Sequence, residues 1–193
     1  MTNLTRGNII FDMKSLSNEE LSKSLSIVRL PRYEQLPNMG LFLEQTAKYI
    51  NQTLACLGCV EITGSMIRNY VKMGLVKNPV HKAYYADHIG HLISITILKL
   101  VLPLENIRRM IELQEAVYAD DVAYDYFCME LENMISFRFG RSDAVKEVGE
   151  TNTLEKDMLR SAIIAISHII YLDVCFKLTP KGSNDTKGEE TKE

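Results

Sequence analysis

Apolar side chains recur every three or four residues along most of this 193-residue chain, a spacing that predicts amphipathic α-helices. Helices with this period are predicted after Ser17 and over 39–57, 63–73, 87–102, 104–111, 112–132 and 154–178, with a break near Asp120. The segment 77–85 differs, because Asn78-Pro79 followed by two tyrosines is typical of a turn leading into a small β-ribbon. We therefore expect an all-α, mainly helical fold with a small β-ribbon.

The helix predicted over 63–73 has two faces of different chemistry. At 100° per residue, its apolar side is formed by Met66, Ile67, Tyr70 and Val71, and its polar side by Ser65, Arg68, Asn69 and Lys72. Thr63 is a suitable N-cap and Gly74 follows the predicted end. The backbone amides around Gly64 and Ser65 are placed to bind a phosphate. Such a helix packs by one face and offers the other to a partner.

A charge anomaly surrounds this helix. The protein has a net charge of −3, yet the segment 62–85 carries Arg68, Lys72, Lys77 and Lys82 and no acidic residue. A basic segment in an acidic protein indicates an anionic partner, with phosphate the leading candidate. Reading the major groove requires short polar and cationic side chains on one helix face, which favours double-stranded DNA. The alternative is a solvated helix face that lacks acids by chance.

The remaining chemistry of the chain excludes several classes of protein. Cys56 and Cys59 form a Cys-x-x-Cys with His88 and His91 downstream, but their helical spacing among apolar residues favours core packing over zinc. We expect reduced thiols, no metal site and no cofactor. The sequence contains no Gly-rich phosphate loop, His-Glu-x-x-His helix or nucleophile elbow. We therefore expect no catalytic residues and no enzymatic activity.

Two features bear on the location of the protein. The N-terminus carries Arg6, Asp12 and Lys14 around a short apolar cluster, unlike a secretory signal. The apolar run 162–176 is shorter than a bilayer-spanning helix and is interrupted by polar residues, so a helix buried in protein is expected. These features predict a cytoplasmic protein without membrane contact.

The segment 67–76, Ile-Arg-Asn-Tyr-Val-Lys-Met-Gly-Leu-Val, resembles the recognition helix and Gly-Leu exit of the MerR family of bacterial transcription regulators. The resemblance continues through 82–84, Lys-Ala-Tyr, similar to that family's basic-x-Tyr wing, and through 104–108, Leu-Glu-Asn-Ile-Arg, at the next helix start. It covers 62–113. More closely, this helix together with 99–103, Lys-Leu-Val-Leu-Pro, is similar to an uncharacterised bacterial MerR-like family of unknown function. The resemblance implies a winged helix-turn-helix followed by C-terminal helices.

By this resemblance, the helix 63–73 would enter the major groove and the wing 77–85 would contact the DNA backbone. Arg68 and Asn69 suit base edges, while the lysines suit phosphates. The resemblance adds Lys82 and Tyr84 as wing contacts to phosphate. The predicted DNA-binding residues are therefore Ser65, Arg68, Asn69, Lys72, Lys77, Lys82 and Tyr84.

Four regions are predicted: an N-terminal helical extension (1–38), a MerR-like winged helix-turn-helix domain (39–113), a C-terminal helical region for dimerisation or an effector (114–178) and a disordered tail (179–193). We expect a homodimeric, sequence-specific transcription regulator, with Tyr118, Tyr124, Tyr126 and Phe127 as candidates to line a small-molecule effector pocket. However, Asn69 stands where the MerR family usually has an aromatic residue, and Val71 where it has an acid. These departures keep open a second hypothesis, a helical protein-interaction adaptor that reuses a helix-turn-helix scaffold.

Overall fold

The computed structural model describes residues 28–58, 60–146, 148 and 153–179. Their elements are β1 (Leu41–Phe42), α1 (Leu43–Leu54), α2 (Gly64–Lys72), β2 (Ala83–Tyr84), α3 (Ala86–Leu98), α4 (Leu104–Glu115), α5 (Asp120–Arg138) and α6 (Leu154–Leu178). The strands pair antiparallel, so the described part is mainly helical with a small sheet, as predicted. The helix predicted after Ser17 and the tail beyond Thr179 lie outside the described residues.

The predicted bounds of the helix over 39–57 are wrong at both ends. Its first residues instead form β1, which pairs with β2, and α1 begins only at Leu43. At the other end, Ala55–Leu57 tightens into a 3-10 turn, and Gly58 ends it in the left-handed conformation at φ 69°. A helical spacing of apolar residues therefore continues here through three different backbone conformations.

The later helices follow the sequence pattern closely. Helix α2 agrees with the predicted 63–73 to within a residue at each end, and α6 has the predicted bounds 154–178. The acidic stretch 112–132 is broken where expected, because α4 ends at Glu115 and α5 begins at Asp120. Among the described residues after β2, the periodic pattern thus located α3, α4, α5 and α6, although α3 ends at Leu98, before the predicted 102, and α5 continues to Arg138, beyond the predicted 132.

One hydrophobic core joins residues from Val28 to Val174. Helix α3 lies at its centre, contacting α1, α4, α5 and α6, and its Ile89, Leu92 and Ile93 are fully buried. The segment 28–36, assigned by sequence to the N-terminal extension, contributes Val28, Leu30 and Leu36 to the same core. Arg32 holds this segment to α5 through two bonds to the Glu132 carboxylate, at 2.8 and 2.7 Å.

Helix α6 is longer than the apolar run 162–176 suggested. It has 25 residues, and the mean hydropathy of its most apolar stretch is 1.6. By length and composition alone, this helix could cross a membrane. The core helix of a globular protein meets the same criterion of length and composition. Of that stretch, 33% is buried, and the helix packs along α5 and also contacts α3 and α4. One side of α6 belongs to the core, and the other is exposed.

Candidate nucleic-acid interface

Helix α2 has the two faces that its sequence predicts. Ile67 and Tyr70 are 0% and 1% exposed and anchor the helix in the core. The exposed side consists of Ser65, Arg68, Asn69 and Lys72. Thr63 caps the helix, since its Oγ1 accepts a hydrogen bond from Met66 N at 3.3 Å. The result is a polar and cationic surface on a rigidly packed helix.

The start of α2 lies against α1. A Cβ atom on Gly64 would lie 2.5 Å from Glu44 Oε1 and 3.3 Å from Leu43 Cδ2, so a side chain at this position would require these two side chains of α1 to move. The Glu44 carboxylate therefore lies beside the first residue of α2, where a phosphate was expected to bind. A carboxylate suits the positive end of a helix, but it repels a second anion there. The anion-attracting part of α2 is therefore its exposed side, around Arg68 and Lys72.

The connection between α1 and α2 is fixed by one side chain. Asn51 on α1 donates from Nδ2 to the Ile62 carbonyl oxygen at 2.9 Å and accepts from Ile62 N at 2.8 Å. Ile62 itself is 1% exposed. Asn51 thus satisfies both backbone groups of a buried residue two positions before α2, which fixes where α2 begins.

Lys82 is presented by a tight two-residue turn. Val80 N donates to the Ala83 carbonyl at 3.0 Å, and Ala83 N donates back to the Val80 carbonyl at 2.9 Å. The two residues between them, His81 and Lys82, have φ values of 51° and 67°. This is the left-handed conformation of a type I′ turn, which favours glycine and asparagine. Both side chains are exposed at the tip.

Tyr84 is 4% exposed, which corrects the prediction that its side chain contacts DNA. It pairs with Leu41 across the sheet, and its ring packs edge-on against His88 at 5.8 Å between centroids. Because one side of a two-stranded ribbon packs on the core, alternate residues must turn inward. The other six predicted contact residues are all exposed.

Lys77 is exposed but ion-paired. Its Nζ lies 3.1 Å from Asp120 Oδ2, at the first residue of α5. The hydrogen bond with Asp120 raises the pKa of Lys77, with the Asp120 charge adding to it and partial burial opposing it. This pair could not be predicted from the sequence, because the two residues are 43 positions apart along the chain. The segment 62–85 has no acidic residue of its own, but Asp120 of α5 lies beside it.

A cavity of about 220 Å³ opens between α4, α5 and α6. Tyr118 and Tyr126 line it, as the effector hypothesis expected, and Lys156 lies over both rings at 5.7 and 5.3 Å from the centroids. Tyr124 and Phe127 are instead 5% and 2% exposed within the core. The tyrosine cluster is thus divided between a cavity and the core.

Together, the fold and this surface define a helical protein whose packed helix α2 and adjacent β-turn expose cationic side chains. Residues 31–127 match the family described as "Domain of unknown function (DUF1836)". The match spans half of the chain, so the protein belongs to this family. The matched segment begins before β1 and ends within α5, and it contains the whole cationic surface. No curated protein and no solved structure matches the chain.

Proposed function

We propose that this protein is a sequence-specific, DNA-binding transcription regulator with a winged helix-turn-helix of MerR-like type. In this proposal α1 and α2 form the helix-turn-helix, α2 enters the major groove and the wing 77–85 contacts the backbone. The observation that carries it is the exposed side of α2, where Arg68, Asn69 and Lys72 project from a helix whose opposite side is anchored in the core. An α-helix with its side chains is about 10–12 Å in diameter, which suits a major groove about 12 Å wide.

The proposal includes a homodimer formed through α6. Six exposed positions follow a four-three spacing along this helix: Leu154, Met158, Ser161, Ala165, His168 and Leu172. This order is nearly the same in both directions, with leucines at the ends and small residues at the centre. Two copies of α6 running antiparallel would therefore place large residues against large ones and small against small, as a two-fold interface requires. A dimer would present two α2 helices to a palindromic site.

Selection from random duplex DNA tests the proposal most directly, and an enriched palindromic motif is expected. The dependence on salt gives a quantitative check. Arg68, Lys72 and Lys82 make no ion pair with any described residue, so a dimer offers six such cations. The slope of log affinity against log salt should then be about −5. Lys72→Ala should reduce its magnitude by about two, while Lys48→Ala, an exposed lysine on α1, should not change it.

Binding to random and selected DNA with equal affinity would contradict sequence-specific recognition. So would an Arg68→Ala variant that binds the selected motif as tightly as the wild type. The size of the complex on DNA, measured by analytical ultracentrifugation, should correspond to two chains, and Leu172→Glu should abolish the dimer if α6 forms the interface.

A second candidate function is favoured by exposed apolar side chains on the wing. Phe42 and Val80 both pair with Ala83, one on each side, and they are 61% and 51% exposed. Residues paired in this way point to the same face of a sheet, so they form a small apolar patch. Such a patch suits a protein-interaction adaptor better than it suits phosphates. The absence of any enriched DNA motif, together with a purified partner whose binding is lost in Phe42→Ser, would support the adaptor.

A further inference from the structure

Three metal-ligating side chains from three helices converge beside the wing. They are His91 of α3, Glu115 at the end of α4 and Asp120 at the start of α5, and their donor atoms all lie within 4.8 Å of one another. His91 Nε2 is 3.8 Å from Glu115 Oε1. A cavity of about 30 Å³, with His91 and Asp120 in its wall, adjoins the group. This is room for one water molecule beside an ion.

The donor set has the chemistry of a transition-metal site. One imidazole nitrogen and two carboxylate oxygens fill three positions of a tetrahedral ion and leave the fourth for water. Bond lengths of about 2.1 Å require donors about 3.4 Å apart, so the donor atoms, now within 4.8 Å of one another, need to approach by at most about 1.4 Å. The His91 side chain is 14% exposed, and its imidazole supplies the one nitrogen donor of the group. A nitrogen donor and a low ligand number disfavour Ca²⁺ and Mg²⁺.

We propose that His91, Glu115 and Asp120 bind one divalent first-row transition ion, such as Zn²⁺ or Mn²⁺, and that the ion releases Lys77 from Asp120. Lys77 Nζ lies 3.1 Å from the Asp120 carboxylate that the ion would occupy. An ion on this carboxylate would stand within about 5 Å of the ammonium group, and the two positive charges repel each other. The cluster therefore holds either the lysine or the ion. Lysine release matters for DNA only if the proposed function is correct, whereas ion binding is independent of it.

Ion binding is tested on the full-length chain without DNA. Loss of the free Mn²⁺ signal in electron paramagnetic resonance and Zn²⁺ calorimetry should each show one ion per chain. His91→Gln and Glu115→Gln should weaken binding at least tenfold, and Glu115 is 41% exposed, so its variant tests the site without threatening the fold. Glu34→Gln, an exposed glutamate in the segment 28–36, is the matched control and should bind as the wild type does. Equal binding by all four proteins would overturn the site.

Competition between Lys77 and the ion predicts the opposite effect for a Lys77 variant, namely tighter ion binding. Lys77→Met removes the competing ammonium group, so it should bind the ion at least threefold more tightly than the wild type. Lys48→Met, which is exposed on α1 and lies outside the proposed DNA-binding residues, should have no effect. Unchanged or weaker binding by Lys77→Met would overturn the competition between lysine and ion.

The DNA measurement separates this inference from the proposed function. With Lys77 released, a dimer gains two cations, so saturating Mn²⁺ should steepen the salt slope from about −5 to about −7. The Lys77→Met variant should show no such response. If the ion binds but no DNA is bound under any condition, the regulator hypothesis fails and the metal site stands. If DNA is bound but no ion is, the metal site fails alone.

Discussion

Replacing Asn51 by alanine should loosen the start of α2 without touching its exposed side. Asn51 makes two hydrogen bonds to Ile62, at 2.9 and 2.8 Å, and Ile62 is 1% exposed. Alanine leaves both backbone groups of Ile62 without these partners. The perturbation is therefore confined to the joint between α1 and α2, at a residue that contributes no charge to the proposed DNA-binding surface.

The magnitude follows from the two lost bonds. A hydrogen bond contributes about 1 kcal/mol net, and a buried group left without a partner costs about 1–3 kcal/mol. Asn51 is half-buried, so water can reach part of the vacated site and the cost stays near the lower limit. We expect Asn51→Ala to reduce the free energy of unfolding by about 2–3 kcal/mol. For a chain of this size, that corresponds to a decrease in Tm of about 5–10 °C.

Urea unfolding followed by circular dichroism measures this change, and Gln52→Ala is the matched control, since Gln52 is the next residue of α1 and is exposed. At a temperature where both variants are fully folded, Asn51→Ala should also bind DNA more weakly, because α2 is less well positioned. A free energy of unfolding within about 0.5 kcal/mol of the control would refute the assignment of Asn51 as the residue that fixes this joint.

Four further outcomes are expected. Arg160→Ala should destabilise the chain by about 3 kcal/mol in urea unfolding, because it leaves Glu130, 0% exposed and bonded to Arg160 at 2.8 Å, without its cation. Lys82→Gly should raise the free energy of unfolding by about 1 kcal/mol by relieving φ 67°, while weakening DNA binding. In metal-free buffer, stability should fall as pH drops below about 6.5, because burial lowers the pKa of His91 and the unfolded chain binds more protons; His91→Gln should flatten this dependence. Burial raises the pKa of Cys128 to about 12, so this thiol should react with Ellman's reagent at pH 8 only after unfolding.

The parts of the fold that could be predicted are those fixed by local physics. The bounds of α6 and the capped helix α2 follow from periodicity and from Thr63, whose effects act within one turn. Strand β1 could not be predicted, because two residues show no alternation and their partner lies beyond α1 and α2. The local sequence pattern predicts a helix at Leu41 and Phe42, but pairing with β2, which is distant in the sequence, makes them a strand.

In the candidate site too, some residues could be predicted from local sequence and others could not. Helical spacing separated the exposed residues of α2 from the buried ones, because a helix has only one packed side here. Tyr84 was misplaced, since its orientation depends on which side of the β-ribbon meets the core, and no local feature states this. Asp120 and His91 were missed as neighbours of Lys77 because three separate helices bring this group together. Counting charges along the sequence cannot show that residues of other helices lie beside Lys77.

Asp120 connects the proposed DNA-binding surface to the proposed dimer interface. Through Lys77 it touches the wing, and as the first residue of α5 it belongs to the helix that packs along α6. An ion at His91, Glu115 and Asp120 would act on this contact by fixing α5 to α3 and α4 and by repelling the Lys77 ammonium group. Ion binding would thus control how many cations the wing presents to DNA, and the salt slope of the dimer measures that number.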